Sequence, residues 1–334
     1  MNAEVKVAAP DGIFLRACLA PFAELLARAD VTDIYVNRPH EVWIETLGGT
    51  IELQENAQLS PAMLKRFARQ IAALTHQGIN REHPLLSSSL PDGSRVQIVA
   101  PPATRGPLAL AIRRHLPAAL SLREFEQQGL FNECSVDGIK DRKLTTLDDL
   151  LRAGQVGAAL SHAVTSRCNI LIAGGTSTGK TTFLNALLRE IPSEERLLFI
   201  EDTPELSCDH PNQVGLIAVR GELGEAKVGA DDLLAASLRM RPDRIILGEL
   251  RGAEAFTFLR AINSGHPGSL TTIHADSPEG AIEQLVLLVL QAGTTLSRSD
   301  VRHYVLSTID VFVQLERTAG RRSVGQVICR TMLA

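Results

Sequence analysis

The sequence lacks a long apolar run and a recognisable export signal. Its longest apolar stretch, Leu285–Leu290, has six residues, whereas a membrane-spanning helix needs about 18. The N-terminus has no basic flank followed by an apolar core, so we expect no secretory signal. We therefore expect a cytoplasmic protein, and peripheral attachment to a membrane stays open.

The sequence also lacks a basic excess and closely spaced cysteines. Its formal net charge is −4 and its pI is about 6.2, which argues against nucleic acid as the main partner. The cysteines lie far apart and form no Cys-x-x-Cys pair, so we expect reduced thiols rather than a zinc ribbon or a disulfide framework. They are Cys18, Cys134, Cys168, Cys208 and Cys329.

The 334 residues, 45% hydrophobic and 22% charged, are sufficient for two domains that each bury a core. Residues 1–118 are predicted to form a small α+β domain. Its predicted helices are Pro21–Ala29 and a second one that Ser60 caps and that continues to about Thr75. Its strands are predicted at Asp33–Val36, Glu41–Glu45, Thr50–Leu53, Arg95–Val99 and Leu108–Ile112.

Residues 119–144 are predicted to be a linker, and residues 145–334 a second domain that alternates apolar strands with helices. This alternation is typical of an α/β fold with a mainly parallel sheet. Thr146–Asp149 resembles a capping box that begins the first helix of this domain. Its strands are predicted at Asn169–Ala173, Leu197–Glu201, Ile217–Arg220, Arg244–Gly248, Ser269–His274 and Asp310–Leu315.

A phosphate-binding loop of the form Gly-x-x-x-x-Gly-Lys-Thr follows the first of these strands and precedes a predicted helix, Thr181–Leu188, as the motif requires. Its backbone N–H groups can surround a phosphate at a helix N-terminus. We expect Lys180 to contact the β- and γ-phosphates of ATP, and the Thr181 hydroxyl to bind Mg²⁺. The residues assigned to nucleotide binding are Gly174, Gly175, Thr176, Ser177, Thr178, Gly179, Lys180, Thr181 and Thr182.

Acidic residues end two further apolar strands. Glu201 and Asp202 lie at a carboxyl end, where ligands of α/β sheets bind, although an ordinary polar loop is the alternative. Glu249 ends a segment that resembles a Walker B motif without an aspartate at the usual Mg²⁺ position. We expect Glu249 to activate the attacking water. Upstream, Arg241 offers a planar, permanent charge for phosphate, unless it is a solvated surface residue.

Two histidines flank the next strand. His266 and His274 have no carboxylate or cysteine at ligand spacing beside them, so a metal site is not expected there. A histidine at a strand end usually has a structural role. At the carboxyl-end rim, however, His274 can hydrogen-bond a γ-phosphate and report its presence.

Taken together, the P-loop, IEDTPEL, ILGELRG and GHPGSLTTIHAD resemble the motifs of the secretion ATPase superfamily in composition and order. The chain is most similar to the hexameric traffic ATPases of type IV secretion, the VirB eleventh-component family, over nearly its whole length. The resemblance implies a RecA-like second domain that holds ATP against the first domain and a neighbouring subunit. It makes Glu201 and Asp202 the acidic box, Glu249 the Walker B glutamate and His274 part of the histidine box.

The resemblance also implies that arginines of the first domain reach the nucleotide, and Arg95 and Arg113 are the candidates. The implied cofactors are ATP and Mg²⁺. The implied assembly is a homohexamer at the cytoplasmic face of the inner membrane, with other type IV secretion ATPases and inner-membrane components as partners and no dedicated nucleic-acid binding. The candidate catalytic residues are Glu249, Lys180, Glu201, Arg113, Arg241 and His274, and the candidate Mg²⁺ ligands are Thr181, Asp202 and Glu201.

Motor ATPases of type IV pili and type II secretion are the near alternative. Their acidic box usually has proline directly after the aspartate, where this chain has Thr203. Type II assembly enzymes also commonly carry a four-cysteine zinc insertion, which this chain lacks. Two other classes stay open, a RecA-type nucleic-acid translocase and a docking ring that binds ATP without hydrolysing it.

Overall fold

The computed structural model describes residues 15, 17–115, 121–127, 129, 131–132, 134, 142–219 and 224–333. They form a mixed α/β structure with a six-stranded sheet in the first part of the chain and a seven-stranded sheet in the second. This agrees with the predicted α/β class. Within these ranges, none of the helices combines the length and the apolar character needed to span a bilayer.

The six-stranded sheet is antiparallel, with the order β3-β2-β1-β6-β5-β4. Helices α1 (Ala23–Ala27) and α2 (Pro61–Leu74) pack against it. The predicted cap of α2 is confirmed, because the Ser60 hydroxyl accepts the Met63 N–H at 3.3 Å. The strands are β1 (Val31–Val36), β2 (Glu41–Thr46), β3 (Ile51–Glu55), β4 (Leu85–Ser89), β5 (Arg95–Val99) and β6 (Ala109–Arg113).

The seven-stranded sheet has the order β13-β12-β7-β11-β10-β8-β9 and is parallel except for β13. Helices on its faces bury the central strands, which is why these strands appear in the sequence as continuous apolar runs. The strands are β7 (Ile170–Gly174), β8 (Leu197–Glu201), β9 (Gln213–Ile217), β10 (Arg244–Leu250), β11 (Leu270–Ile273), β12 (Val311–Thr318) and β13 (Arg321–Cys329).

The helices of the second half of the chain connect these strands or precede them. Helix α6 directly follows the phosphate-binding loop, and α3 lies in the segment expected to be a linker. The bounds are α3 (Leu122–Gln127), α4 (Arg142–Arg152), α5 (Val156–Thr165), α6 (Lys180–Leu188), α7 (Ala230–Ser237), α8 (Glu254–Asn263), α9 (Pro278–Gln291) and α10 (Arg298–Thr308).

Two of the predicted elements are wrong, and strands β4 and β13 were not among the predicted strands. Thr146 does not cap a helix, because it lies inside α4 and its hydroxyl donates to the Arg142 carbonyl at 3.2 Å. A strand was predicted at Ile217–Arg220, but β9 covers Gln213–Ile217 and shares only Ile217 with it; Arg220 lies outside the described residues. Strand β13 was missed because most of it is polar and exposed, as an edge strand can be.

The two sheets share a buried contact. Tyr35 of β1 and Trp43 of β2 belong to the same hydrophobic cluster as the apolar side chains of the second sheet. The fully buried guanidinium of Arg196 lies 4.1 Å from the centre of the Tyr35 ring and donates to the side-chain oxygens of Asn37 and Asn212 at 2.7 and 2.6 Å. Burial lowers the pKa of Arg196 to about 10, so it stays a cation at neutral pH.

Candidate nucleotide site

The loop between β7 and α6 has a backbone that restricts which residues fit. Gly179 adopts φ 94°, in the left-handed region that favours glycine. At Gly174, an added Cβ atom would lie 2.5 Å from Thr178 Oγ1. Thr178 in turn donates its hydroxyl proton to the Gly175 carbonyl at 2.9 Å. Gly174 is therefore required by close packing and Gly179 by its unusual φ.

Lys180 folds back over this loop. Its Nζ atom donates to the carbonyls of Gly174 at 2.9 Å and Gly175 at 3.2 Å. Partial burial lowers the pKa of Lys180, and the charge of Glu249 opposes that shift. The ammonium group is thus held at the mouth of the loop, where a phosphate would compete with the two carbonyls for its protons.

The structure brings Glu249 and His274 next to Lys180, from the ends of two neighbouring strands. His274 Nε2 lies 2.8 Å from Glu249 Oε1, and His274 Nδ1 lies 3.3 Å from Lys180 Nζ. Arg251, which was not among the residues predicted for the site, donates from Nε to Glu249 Oε2 at 2.6 Å. This hydrogen bond raises the pKa of Arg251. Arg251 follows Glu249 by two residues, and this spacing could have indicated from the sequence that it belongs to the site.

The acidic box lies beside the P-loop, but its two carboxylates have different surroundings. Glu201 is buried; its Oε1 accepts the N–H groups of Glu205 at 2.9 Å and Leu206 at 2.6 Å, and its Oε2 pairs with Arg105. Asp202 is more exposed, and its carboxylate lies 3.6 Å from Arg251. The surroundings of Glu201 leave Asp202 as the carboxylate that is better placed for a cation.

Two further residues of the site were missed from the sequence. The Thr181 hydroxyl donates to Glu205 Oε2 at 3.3 Å, and Arg322 Nε donates to the Ser177 carbonyl at 3.1 Å. Glu205 lies in the IEDTPEL segment, so its position in the sequence could have indicated that it belongs to the site. Nothing in the sequence indicated Arg322, because it lies on β13, beyond the last predicted strand.

These groups line one cavity of about 540 Å³, within the range of roughly 300–1,000 Å³ that is typical of small-molecule sites. In the described ranges, no group of three or more His, Cys, Asp or Glu residues could hold a metal ion. The lining residues are Thr176 to Thr182, Ile200 to Thr203, Glu205, Leu206, Ala230, Leu247 to Glu249, Arg251, Thr272, His274 and Arg322.

The three other arginines expected at the site are not among the lining residues. Arg95 and Arg113 stand opposite each other on β5 and β6, and both are exposed. Arg241 pairs with Glu45 of the first sheet and with Asp243, the latter at 2.9 Å. Arg241 is therefore part of the contact between the two sheets, which does not support a catalytic role within its own chain.

Comparisons with known proteins agree with this architecture. The family model described as type II/IV secretion system protein matches residues 17–319. The chain is 39% identical over 324 residues to the type IV secretion system protein VirB11 of Bartonella henselae, covering 92% of this chain and 91% of that one. It is 41% identical over 308 residues to the type IV secretion system protein PtlH of Bordetella pertussis, covering 91% and 90%.

A solved structure is also similar over nearly the whole chain. The crystal structure of the VirB11 ATPase from the Brucella suis type IV secretion system, in complex with sulphate, has a TM-score of 0.90 and 34% identity, covering 96% of each chain. The resemblance to type IV secretion traffic ATPases that the motifs indicated is thereby confirmed. This chain belongs to the type II/IV secretion system protein family, among relatives of the VirB11 type.

Proposed function

We propose that this protein hydrolyses ATP in the cavity that the P-loop lines and thereby energises or gates type IV secretion. The observation that carries the proposal is the convergence of Lys180, Thr181, Glu249 and His274 on one cavity. A phosphate cradle alone would support binding. A carboxylate and an imidazole beside Lys180 add the groups that hydrolysis needs.

The residues present fit ATP and Mg²⁺. The N-terminus of α6 and the P-loop amides favour an anion, and the cavity is large enough for a nucleotide. Thr181 and Asp202 are the proposed Mg²⁺ ligands. Two protein ligands suit this ion, because waters and phosphate oxygens fill the rest of its coordination shell. When bound, Mg²⁺ would neutralise charge on the phosphate oxygens.

In the proposed reaction, Lys180 exchanges its two carbonyl acceptors for phosphate oxygens and stabilises the charge that develops there. Glu249 accepts a proton from the attacking water, for which its contact with Arg251 has to open or shift. His274, between Glu249 and Lys180, senses whether a γ-phosphate is present. Glu201 acts indirectly, since its carboxylate is already occupied by two amides and Arg105.

We further propose that the second sheet belongs to the RecA-like class and that the protein acts as a homohexamer. The position of Arg95 and Arg113 supports the ring, because both are exposed cations outside the cavity of their own chain. A head-to-tail contact, repeated to closure, would bring them to the cavity of a neighbour. The ring would work at the cytoplasmic face of the inner membrane with other type IV secretion ATPases and inner-membrane components.

Replacing Lys180 tests the proposed site. Lys180→Ala removes the ammonium group that contacts the β- and γ-phosphates, so phosphate release from ATP should fall to background. Lys65→Ala, which removes an exposed lysine on α2, is the matched control and should keep the wild-type rate. Near-normal turnover by Lys180→Ala would show that hydrolysis takes place elsewhere.

The same assay separates the two other classes. Steady ATP turnover excludes a docking ring that uses ATP only as a conformational ligand. A nucleic-acid translocase would show turnover stimulated by single strands and a binding affinity that falls with salt. We expect steady turnover that single strands leave unchanged.

A further inference from the structure

The loop between β5 and β6, residues 100–108, leaves the first sheet and packs on the edge of the second one. The Arg105 N–H donates to the Gly215 carbonyl at 2.9 Å, and the Ile217 N–H donates to the Ala103 carbonyl at 2.9 Å. Because β9 is an edge strand of its sheet, this loop occupies part of that edge. The first half of the chain thus reaches the strand next to the acidic box.

The Arg105 side chain extends from this loop to the acidic box. Its guanidinium pairs with the buried carboxylate of Glu201, and its Nη1 donates to the Leu206 carbonyl at 3.0 Å. It also lies 5.8 Å from the centre of the Phe199 ring. Burial lowers the pKa of Arg105, but a guanidinium remains charged at neutral pH. One half-buried cation therefore holds both a side chain and a carbonyl of the acidic segment.

Gly215 leaves the space that the Arg105 side chain occupies. A Cβ atom at Gly215 would overlap the Cδ and Nε atoms of Arg105. The backbone of Gly215 does not adopt a positive φ, so its conformation would accept alanine. Glycine is required at position 215 because the Arg105 side chain occupies the space that a Cβ atom would need.

The contacts continue from Arg105 to the P-loop. Glu201 accepts the backbone N–H of Glu205 at 2.9 Å, and Glu205 Oε2 accepts the hydroxyl proton of Thr181 at 3.3 Å. Thr181 is the P-loop residue assigned to Mg²⁺. An unbroken path of hydrogen bonds and one ion pair thus joins a loop of the first sheet to the cation-binding hydroxyl.

We propose that Arg105 is a positioning residue for the magnesium end of the nucleotide site. By holding Glu201 and the Leu206 carbonyl, it fixes residues 202–206 and so orients Thr181 and Asp202 toward a Mg²⁺–nucleotide. Arg105 does not line the cavity, so it acts through these residues and not on the nucleotide. This inference rests on the proposed nucleotide site.

The test compares binding of a fluorescent ADP analogue with and without Mg²⁺. In Arg105→Ala, binding without Mg²⁺ should be unchanged, because the P-loop amides and Lys180 are intact. The strengthening of binding by Mg²⁺ should fall by about 10-fold or more, the effect typical of losing a group that orients a metal ligand. The Mg²⁺ concentration that half-saturates ATP hydrolysis should rise in parallel. Arg66→Ala, which removes an exposed arginine on α2, should change neither quantity.

Gly215→Ala is a second way to break the contacts of Arg105 with the acidic segment, because it displaces Arg105 without removing its charge. It should reproduce the Mg²⁺ effect of Arg105→Ala. The double variant should be no worse than Arg105→Ala alone, since the added methyl group then meets no side chain. Arg105→Lys should show an intermediate effect, because an ammonium can pair with Glu201 but cannot also reach the Leu206 carbonyl in the fixed geometry of a guanidinium.

The outcomes separate this inference from the proposed function. An Arg105→Ala protein with wild-type Mg²⁺ dependence, or with equal losses of binding in the presence and absence of Mg²⁺, would overturn the positioning role. If Arg105→Ala does not fold, Gly215→Ala and Arg105→Lys decide by the same criteria. Absence of hydrolysis in the wild type and in Arg66→Ala would refute the ATPase proposal, while the binding measurement would still test Arg105.

Discussion

At the scale of single residues, we expect Glu249 to be needed for hydrolysis of ATP but not for its binding. Glu249→Gln removes the charge that would accept a proton from water and leaves the P-loop intact. We expect ATP affinity close to that of the wild type and turnover lower by about 10² or more, as is typical on loss of a general base. Equilibrium binding of ATP and single-turnover hydrolysis measure the two quantities.

Glu279→Gln is the matched control, because Glu279 is an exposed glutamate on α9, paired with Arg302. It should leave both quantities unchanged. The opposite pattern for Glu249→Gln, weaker binding with the same turnover, would assign Glu249 a structural role as the partner of Arg251 and His274.

At the scale of secondary-structure elements, a buried ion pair joins β10 to α5 and to the segment that precedes β8. Arg244 is fully buried; its Nε and Nη2 donate to Glu195 at 2.7 Å each, and its Nη1 donates to the Val164 carbonyl at 2.8 Å. Glu195→Ala would leave this guanidinium without a counter-charge. We expect the free energy of unfolding, measured by urea titration, to fall by about 3–5 kcal/mol.

The control for this prediction is Glu279→Ala, which breaks an exposed pair with Arg302 and should cost about 1 kcal/mol or less. Equal effects of the two substitutions would mean that the Glu195–Arg244 pair does not hold the elements together.

The sequence predicts some parts of the site and not others, depending on whether the residues are placed by local spacing or by tertiary packing. The P-loop was predictable because its glycines, Lys180 and Thr181 are adjacent in the chain and their spacing dictates the turn. Glu249 and His274 were predictable because carboxyl ends of parallel strands meet at one edge of the sheet. Arg105 was not, since its place depends on how a loop of one sheet packs against an edge strand of the other.

The structures around Thr146 and Arg241 also depend on contacts that the neighbouring sequence does not reveal. The sequence around Thr146 satisfies the capping-box pattern, but α4 includes residues before it, so the threonine bonds back to its own helix. Arg241 carried the charge expected of a phosphate ligand, and nothing in its neighbourhood in the sequence revealed Glu45, which lies on the first sheet. Long-range pairs of this kind are set by tertiary packing.

At the scale of the whole molecule, the proposed function requires a ring of subunits. If exposed arginines of one subunit complete the cavity of the next, specific activity should rise with protein concentration as subunits assemble. Analytical ultracentrifugation with and without a non-hydrolysable ATP analogue measures the assembly. A fully active monomer under both conditions would remove the basis for the ring.

Hydrolysis at a P-loop cavity that a neighbouring subunit completes can be tested by mixing two impaired variants. Lys180→Ala retains Arg113 but lacks a working P-loop, and Arg113→Ala retains the P-loop but lacks the arginine. In mixed rings with head-to-tail contacts, about a quarter of the sites would combine an intact P-loop with an intact neighbouring arginine. We expect ATP turnover, absent or low in each variant alone, to reappear on mixing. Turnover in the mixture no higher than the average of the two separate proteins would contradict it.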